Sequence, residues 1–163
     1  MTDGRGRPPL DWSGNVPFPF TRESAIRIDS DGNFWHEGQK VEHSGLARAM
    51  ASWISRHPDD GRWVLENGWD WCYVKVDDAP FVVRSARVEG DQVFGVLSDG
   101  VEEPLESLSV DESGTLRCLV RPTARGGPIP AKLARLAQLD LADHLEEHHG
   151  APVLRLAQRV VPL

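Results

Sequence analysis

Long apolar runs are missing from this chain, and so is any excess of positive charge. No stretch approaches the ~20 apolar residues that a membrane-crossing helix needs. The N-terminus, MTDGRGRPPLDW, has no apolar signal core. Lysine and arginine number 18 against 25 acids, a formal net charge of −7, whereas a surface built to neutralise nucleic-acid phosphates carries the opposite balance. There are only two cysteines, Cys72 and Cys118, far apart and outside any C-x-x-C pair. Neither a disulfide framework nor a thiolate metal site is expected from them. These absences predict a cytoplasmic protein with reduced thiols, no membrane partner and no nucleic-acid partner.

Catalytic signatures are equally scarce. There is no G-x-S-x-G elbow, and Arg125-Gly126-Gly127 lacks the lysine and the spacing of a phosphate loop. Asp29-Ser30-Asp31-Gly32-Asn33 starts like a calcium loop, but Phe34 and Lys40 stand where that loop needs its glycine and its bidentate glutamate. His144-Leu145-Glu146-Glu147-His148 fits the H-x-x-E-H string of inverted zinc peptidases. The Ala/Leu-rich segment from Pro130 to His149 is expected to be a helix stopped by Gly150, where imidazoles suit the helix dipole. No third ligand follows it, so no metal and no cofactor are expected.

What the chain does contain is punctuation. Ile26 and Ile28 alternate with Arg27 and Asp29, the period of a half-buried strand. Asp29 to Gly32 supplies turn chemistry, and Phe34 resumes the return strand towards Glu37-Gly38. An amphipathic helix is predicted next, with Ser44 as N-cap, Leu46, Met50, Trp53 and Ile54 as its apolar stripe, and Pro58 beyond its end. A weaker copy begins at Leu108, where one constant spacing separates Asp29 from Asp111, Gly32 from Gly114 and Phe34 from Leu116. Between the copies, short strands with turns at Asp77–Pro80, Glu89–Asp91 and Asp99-Gly100 read as an antiparallel meander. Pro104 marks an edge strand or a bulge, and the edge near Val101 to Leu108 is a place where a second subunit could pair.

The predicted fold class is therefore α+β: two repeated hairpin-helix-strand units joined by an antiparallel β-meander. Residues 1–24 form an extended N-terminal tail, anchored where Trp12, Phe18 and Phe20 find apolar cover. Residues 25–88 form the first unit and 89–163 the second, packed together.

The chain resembles the bacterial domain-of-unknown-function family DUF1285. The residues that carry the resemblance are Ile26-Arg27-Ile28-Asp29 with Gly32, Asp60 to Leu65, Val74-Lys75-Val76-Asp77-Asp78-Ala79-Pro80-Phe81-Val82, and Arg125-Gly126-Gly127. The resemblance covers residues 25–147 and departs from the family pattern at Asn67–Trp71 and Asp143–His149. It implies an α+β fold with internally repeated motifs and no assigned enzymatic activity.

Six tryptophans are a high load for 163 residues. On one strand Trp69, Trp71 and Tyr73 share a face, which is expected either to lie under a helix or to meet a partner. Trp69, Trp71, Arg84, Arg121 and Arg125 are the candidate ligand-binding residues, placed at the seam between the two units. The expected function is a non-enzymatic ligand- or protein-binding module in bacterial signalling or regulation, taking an unknown protein or a small anionic ligand. The alternative is a small enzyme acting on an anionic metabolite in the cleft between the halves.

Overall fold

The first hairpin is closed by one carboxylate. Asp29 Oδ1 accepts the backbone N–H groups of Asp31 and Asn33 at 2.9 Å each, and Oδ2 accepts the Trp35 indole N–H at 2.8 Å. Those bonds fold the turn between β1 (Ile26–Ile28) and β2 (Phe34–His36), the strands on either side of it. A second tight turn at Glu37-Gly38, both at positive φ, leads into β3 (Gln39–Lys40), as a type I′ hairpin requires. In the computed structural model, residues 9–17 and 21–163 are described. The expectation for Phe18 and Phe20 lies outside them.

Helix α1 (Ser44–Ser52) is shorter than predicted. Its N-cap is His43, whose Nδ1 accepts the Leu46 amide, and not Ser44. Ile54 leaves the helix to open β4 (Ile54–Arg56), which pairs antiparallel with β5 (Trp63–Glu66); β5 pairs in turn with β6 (Trp71–Tyr73). The cross-strand pairs Ile54–Leu65 and Arg56–Trp63 outweigh further helical turns for a β-branched and aromatic sequence. Two residues, β7 (Lys75–Val76), then lie parallel to β1 and complete a four-stranded sheet.

The largest sheet has six strands. Strands β8 (Phe81–Glu89), β9 (Gln92–Leu97) and β10 (Glu102–Pro104) form an antiparallel meander, as predicted. It merges with a second meander of β11 (Glu106–Val110), β12 (Leu116–Val120) and β13 (Ile129–Leu133), through parallel pairing of β13 with β8. The edge strands β10 and β11 are consecutive in the chain, separated by the buried Leu105, so the sheet curls back on itself. The Pro104 expectation holds: it sits on edge strand β10, and Ser107 at positive φ distorts β11, devices that discourage strand addition.

The predicted long helix from Pro130 to His149 is corrected. Ile129, Ala131 and Leu133 alternate inward as strand β13, with Pro130 facing out. Only α2 (Arg135–Asp140) is helical, followed by a 3₁₀ turn at Ala142–His144. Strands β14 (Leu145–His148), β15 (Ala151–Arg155) and β16 (Val160–Pro162) then make a three-stranded sheet. The composition favoured helix, but the two-residue period of Ile129 to Leu133 fits a sheet already waiting with β8 and β12 on either side. His144 thus ends the 3₁₀ turn and His148 belongs to a hairpin, where His148 Nε2 lies 3.3 Å from Glu146 and Arg155 binds the same carboxylate. No group of metal-ligating side chains occurs among the described residues.

One cluster of buried side chains runs through the chain, from Ile28 and Phe34 through Phe81 and Leu97 to Leu133 and Leu154. No helix among the described residues is long and apolar enough to cross a membrane.

Candidate functional site

The five sequence-selected residues do not converge on one cavity. Two of them meet in an aromatic cluster. Trp71, only 4% exposed, packs against Trp12, His57 and Tyr73 with ring centroids 4.9–5.2 Å away. Its indole N–H donates to the Asp11 carbonyl at 2.7 Å. The cover over this face is the N-terminal segment, not the helix expected from the sequence. His57 secures it: the Asp59 amide N–H donates to Nδ1, so Nε2 carries the proton and donates to the Trp12 carbonyl at 3.0 Å. The Arg125 guanidinium lies 4.6 Å over the Trp12 ring and donates to the Arg56 carbonyl. Trp71 and Arg125 therefore hold the segment down. Trp69, in the turn before β6, is 71% exposed on the outside.

Arg121 is neutralised. Its Nε donates to Glu103 at 2.7 Å, and Nη2 pairs with Asp99, whose side chain is 1% exposed. The guanidinium also covers the Phe81 ring at 4.8 Å. The link between the end of β12 and the β9–β10 region ties the curled sheet together.

Arg84 is placed differently. It rises from β8 beside the first hairpin turn and donates Nη1 to the Asp31 carbonyl at 2.8 Å. The turn comes this close because residue 32 is glycine: a Cβ there would stand 2.7 Å from Val82 Cγ2 and 3.2 Å from Arg84 Nη2. Arg84 lines a cavity of about 450 Å³ between the hairpin, α1 and the β9–β10 turn. Lys40, from β3, and Arg48, from α1, line the same cavity, with Glu42 as the carboxylate among them. Lys40 and Arg48 make no ion pair among the described residues, and Arg84 none to a carboxylate. Arg22, Arg27, Arg62, Arg87, Arg117 and Arg155, by contrast, each hold an acid. Three cations facing one concave space, in a chain of net charge −7, is the arrangement that binds an anion.

Sequence reasoning found Arg84 and missed its companions. Lys40 and Arg48 flank the start of the same helix, but no local pattern links them to a strand more than thirty residues on. The cysteines take no part. Burial raises the Cys118 thiol to about 12 and also raises Cys72, so neither supplies a ready thiolate.

The architecture defines a mostly β member of the α+β class, with a curled six-stranded sheet flanked by smaller sheets and two short helices. It is shared with a DUF1285 family protein from Silicibacter pomeroyi, at a TM-score of 0.67 and 22% identity over 86% of this chain and 80% of that one. A DUF1285 family protein from Shewanella baltica aligns at a TM-score of 0.57 and 17% identity, over 76% of this chain and 94% of that one. The fold is thus that of the family which the sequence motifs resemble. No protein-family model and no curated protein matches the sequence.

Proposed function

We propose that this protein is a non-enzymatic module that binds a small anionic ligand in the cavity lined by Lys40, Arg48 and Arg84, serving bacterial signalling or regulation. One observation carries the reading: three cations without a carboxylate partner among the described residues share a cavity of about 450 Å³, whereas Arg22, Arg27, Arg62, Arg87, Arg117, Arg121 and Arg155 each hold an acid. That volume lies in the range of roughly 300–1,000 Å³ typical of small-molecule sites. Acid–base chemistry needs a positioned donor and acceptor. Glu42 is the one carboxylate lining this cavity and no histidine lines it, which favours binding over the enzymatic alternative.

The test is titration of inorganic phosphate into the isotope-labelled protein at low salt, followed by amide shifts. Saturable shifts at Gly32, Ser98 and Gly100 are expected. Lys40→Ala and Arg48→Ala, which remove no hydrogen bond among the described residues, should each weaken binding by about tenfold. Phosphate shifts that are absent, or unchanged by both substitutions, would defeat the reading.

The same reading extends to a resemblance between the two halves. Strand-strand-strand-helix-strand-strand-strand describes β1 to β6 around α1, and again β11 to β16 around α2. Asp111 repeats the part of Asp29: its carboxylate accepts the amides of Ser113 and Thr115 and the Arg117 Nε–H. These matches support a duplicated unit, in which the ligand cavity belongs to the first copy and is walled by β8–β9.

A further inference from the structure

Arg84 also lines a second cavity, of about 240 Å³, on the other side of the Ser30-Asp31 turn. Lys132 and Arg135 line it with Arg84, against the one carboxylate of Asp31. Lys132 Nζ donates to the Ser30 carbonyl at 3.1 Å and lies 3.8 Å from Asp78; Arg135 has no ion-pair partner among the described residues. The hairpin turn is therefore held by one cation from each cavity, Arg84 on Asp31 and Lys132 on Ser30. Each cavity has three cations against one acid, and Arg84 is common to both. With Nη1 committed to Asp31, its remaining N–H groups form no hydrogen bond among the described residues.

We infer that the ligand carries two or more linked anionic groups and straddles Arg84, one group beside Lys40 and Arg48 and another beside Lys132 and Arg135. The chemical class is a linear oligophosphate, or a molecule bearing an oligophosphate chain. A single compact anion beside Lys40 and Arg48 leaves Arg135, across the turn, without an ion-pair partner among the described residues. A chain of phosphoryl groups supplies charge on both sides of a shared guanidinium, whose fork suits adjacent phosphate oxygens. This rests on the anion-binding reading of the first cavity and specifies its ligand.

The experiment compares orthophosphate with tripolyphosphate by calorimetric titration of the full chain, without divalent metal, for the wild type, Arg48→Ala, Arg135→Ala and Lys75→Ala. Lys75 lines neither cavity and corrects for general charge attraction. The wild type should bind tripolyphosphate at least about tenfold more tightly than orthophosphate. Arg135→Ala should erase that advantage and leave orthophosphate binding intact, Arg48→Ala should weaken both, and Lys75→Ala should alter neither. If tripolyphosphate gains nothing over orthophosphate, or if Lys75→Ala costs as much as Arg135→Ala, the straddling ligand is overturned while the first cavity stands. If orthophosphate itself does not bind, the anion-binding reading falls with it.

Discussion

Asp29 and Asp111 close two turns by the same hydrogen-bond plan. Each accepts the amides two and four residues on, and each receives a side-chain N–H from the residue six on, Trp35 in one case and Arg117 in the other. The glycine in each turn, Gly32 and Gly114, lies at φ +79° and +82°. The turns differ in what surrounds them. Gly32 is pressed against Val82, whereas nothing stands within 4 Å of a Cβ at Gly114.

That contrast predicts unequal costs for one substitution. Gly114→Ala should destabilise by about 1 kcal/mol, the strain of a left-handed backbone. Gly32→Ala adds a steric clash with β8 and should cost about 1–2 kcal/mol more. Equilibrium urea unfolding measures both, and equal losses would show that the Val82 contact yields freely.

Acid should weaken the fold through Arg117, which grips Asp78 with both terminal nitrogens and Asp111 with Nε. The Arg117 bond holds the Asp78 carboxyl below its ordinary range, and the Ser113 hydroxyl followed by Arg117 holds Asp111 further below. Both folded values are depressed, so their stabilisation is complete above the unfolded value near 4 and is lost as pH falls below it. The urea midpoint should fall steadily as the pH drops below about 4. Asp78→Asn with Asp111→Asn should lower it at neutral pH and flatten the acid limb. An unchanged acid slope in the double variant would assign the acid response to other carboxylates.

Trp71→Ala should cost about 3–5 kcal/mol, the loss of a buried aromatic, and should loosen the N-terminal segment that Trp71 and His57 retain. Trp69→Ala, at an exposed turn, should move stability by no more than about 0.5 kcal/mol. Phosphate affinity should be unaffected by either. A phosphate defect in folded Trp71→Ala protein would return the aromatic cluster to the candidate site.

The hairpin at Asp29, the meander from Phe81 to Leu97 and the edge position of Pro104 were legible because each depends on local chemistry: a short acid, a two-residue period, a missing N–H. The helix assigned across Pro130 to His149 was not, since Ala and Leu suit either state and the neighbouring strands decided. Of the candidate site, only Arg84 was found. Trp71, Arg121 and Arg125 looked like binding groups because aromatic rings and guanidinium forks also serve that purpose. Their partners, Trp12, Asp99 and the Arg56 carbonyl, lie 22 to 69 residues away and cannot be paired by inspection.

By itself the sequence determined the turns, the strand periods, the acidic balance and the absence of a long apolar helix, all properties of neighbouring residues and simple counts. Tertiary structure alone decided which cations remain without a carboxylate. An arginine's availability depends on whether folding brings an acid within reach, and that distance is set by sheet register. Parallel pairing of β13 with β8 places Lys132 opposite Val82, two residues from Arg84, and the close approach of Gly32 brings the first hairpin to the same place.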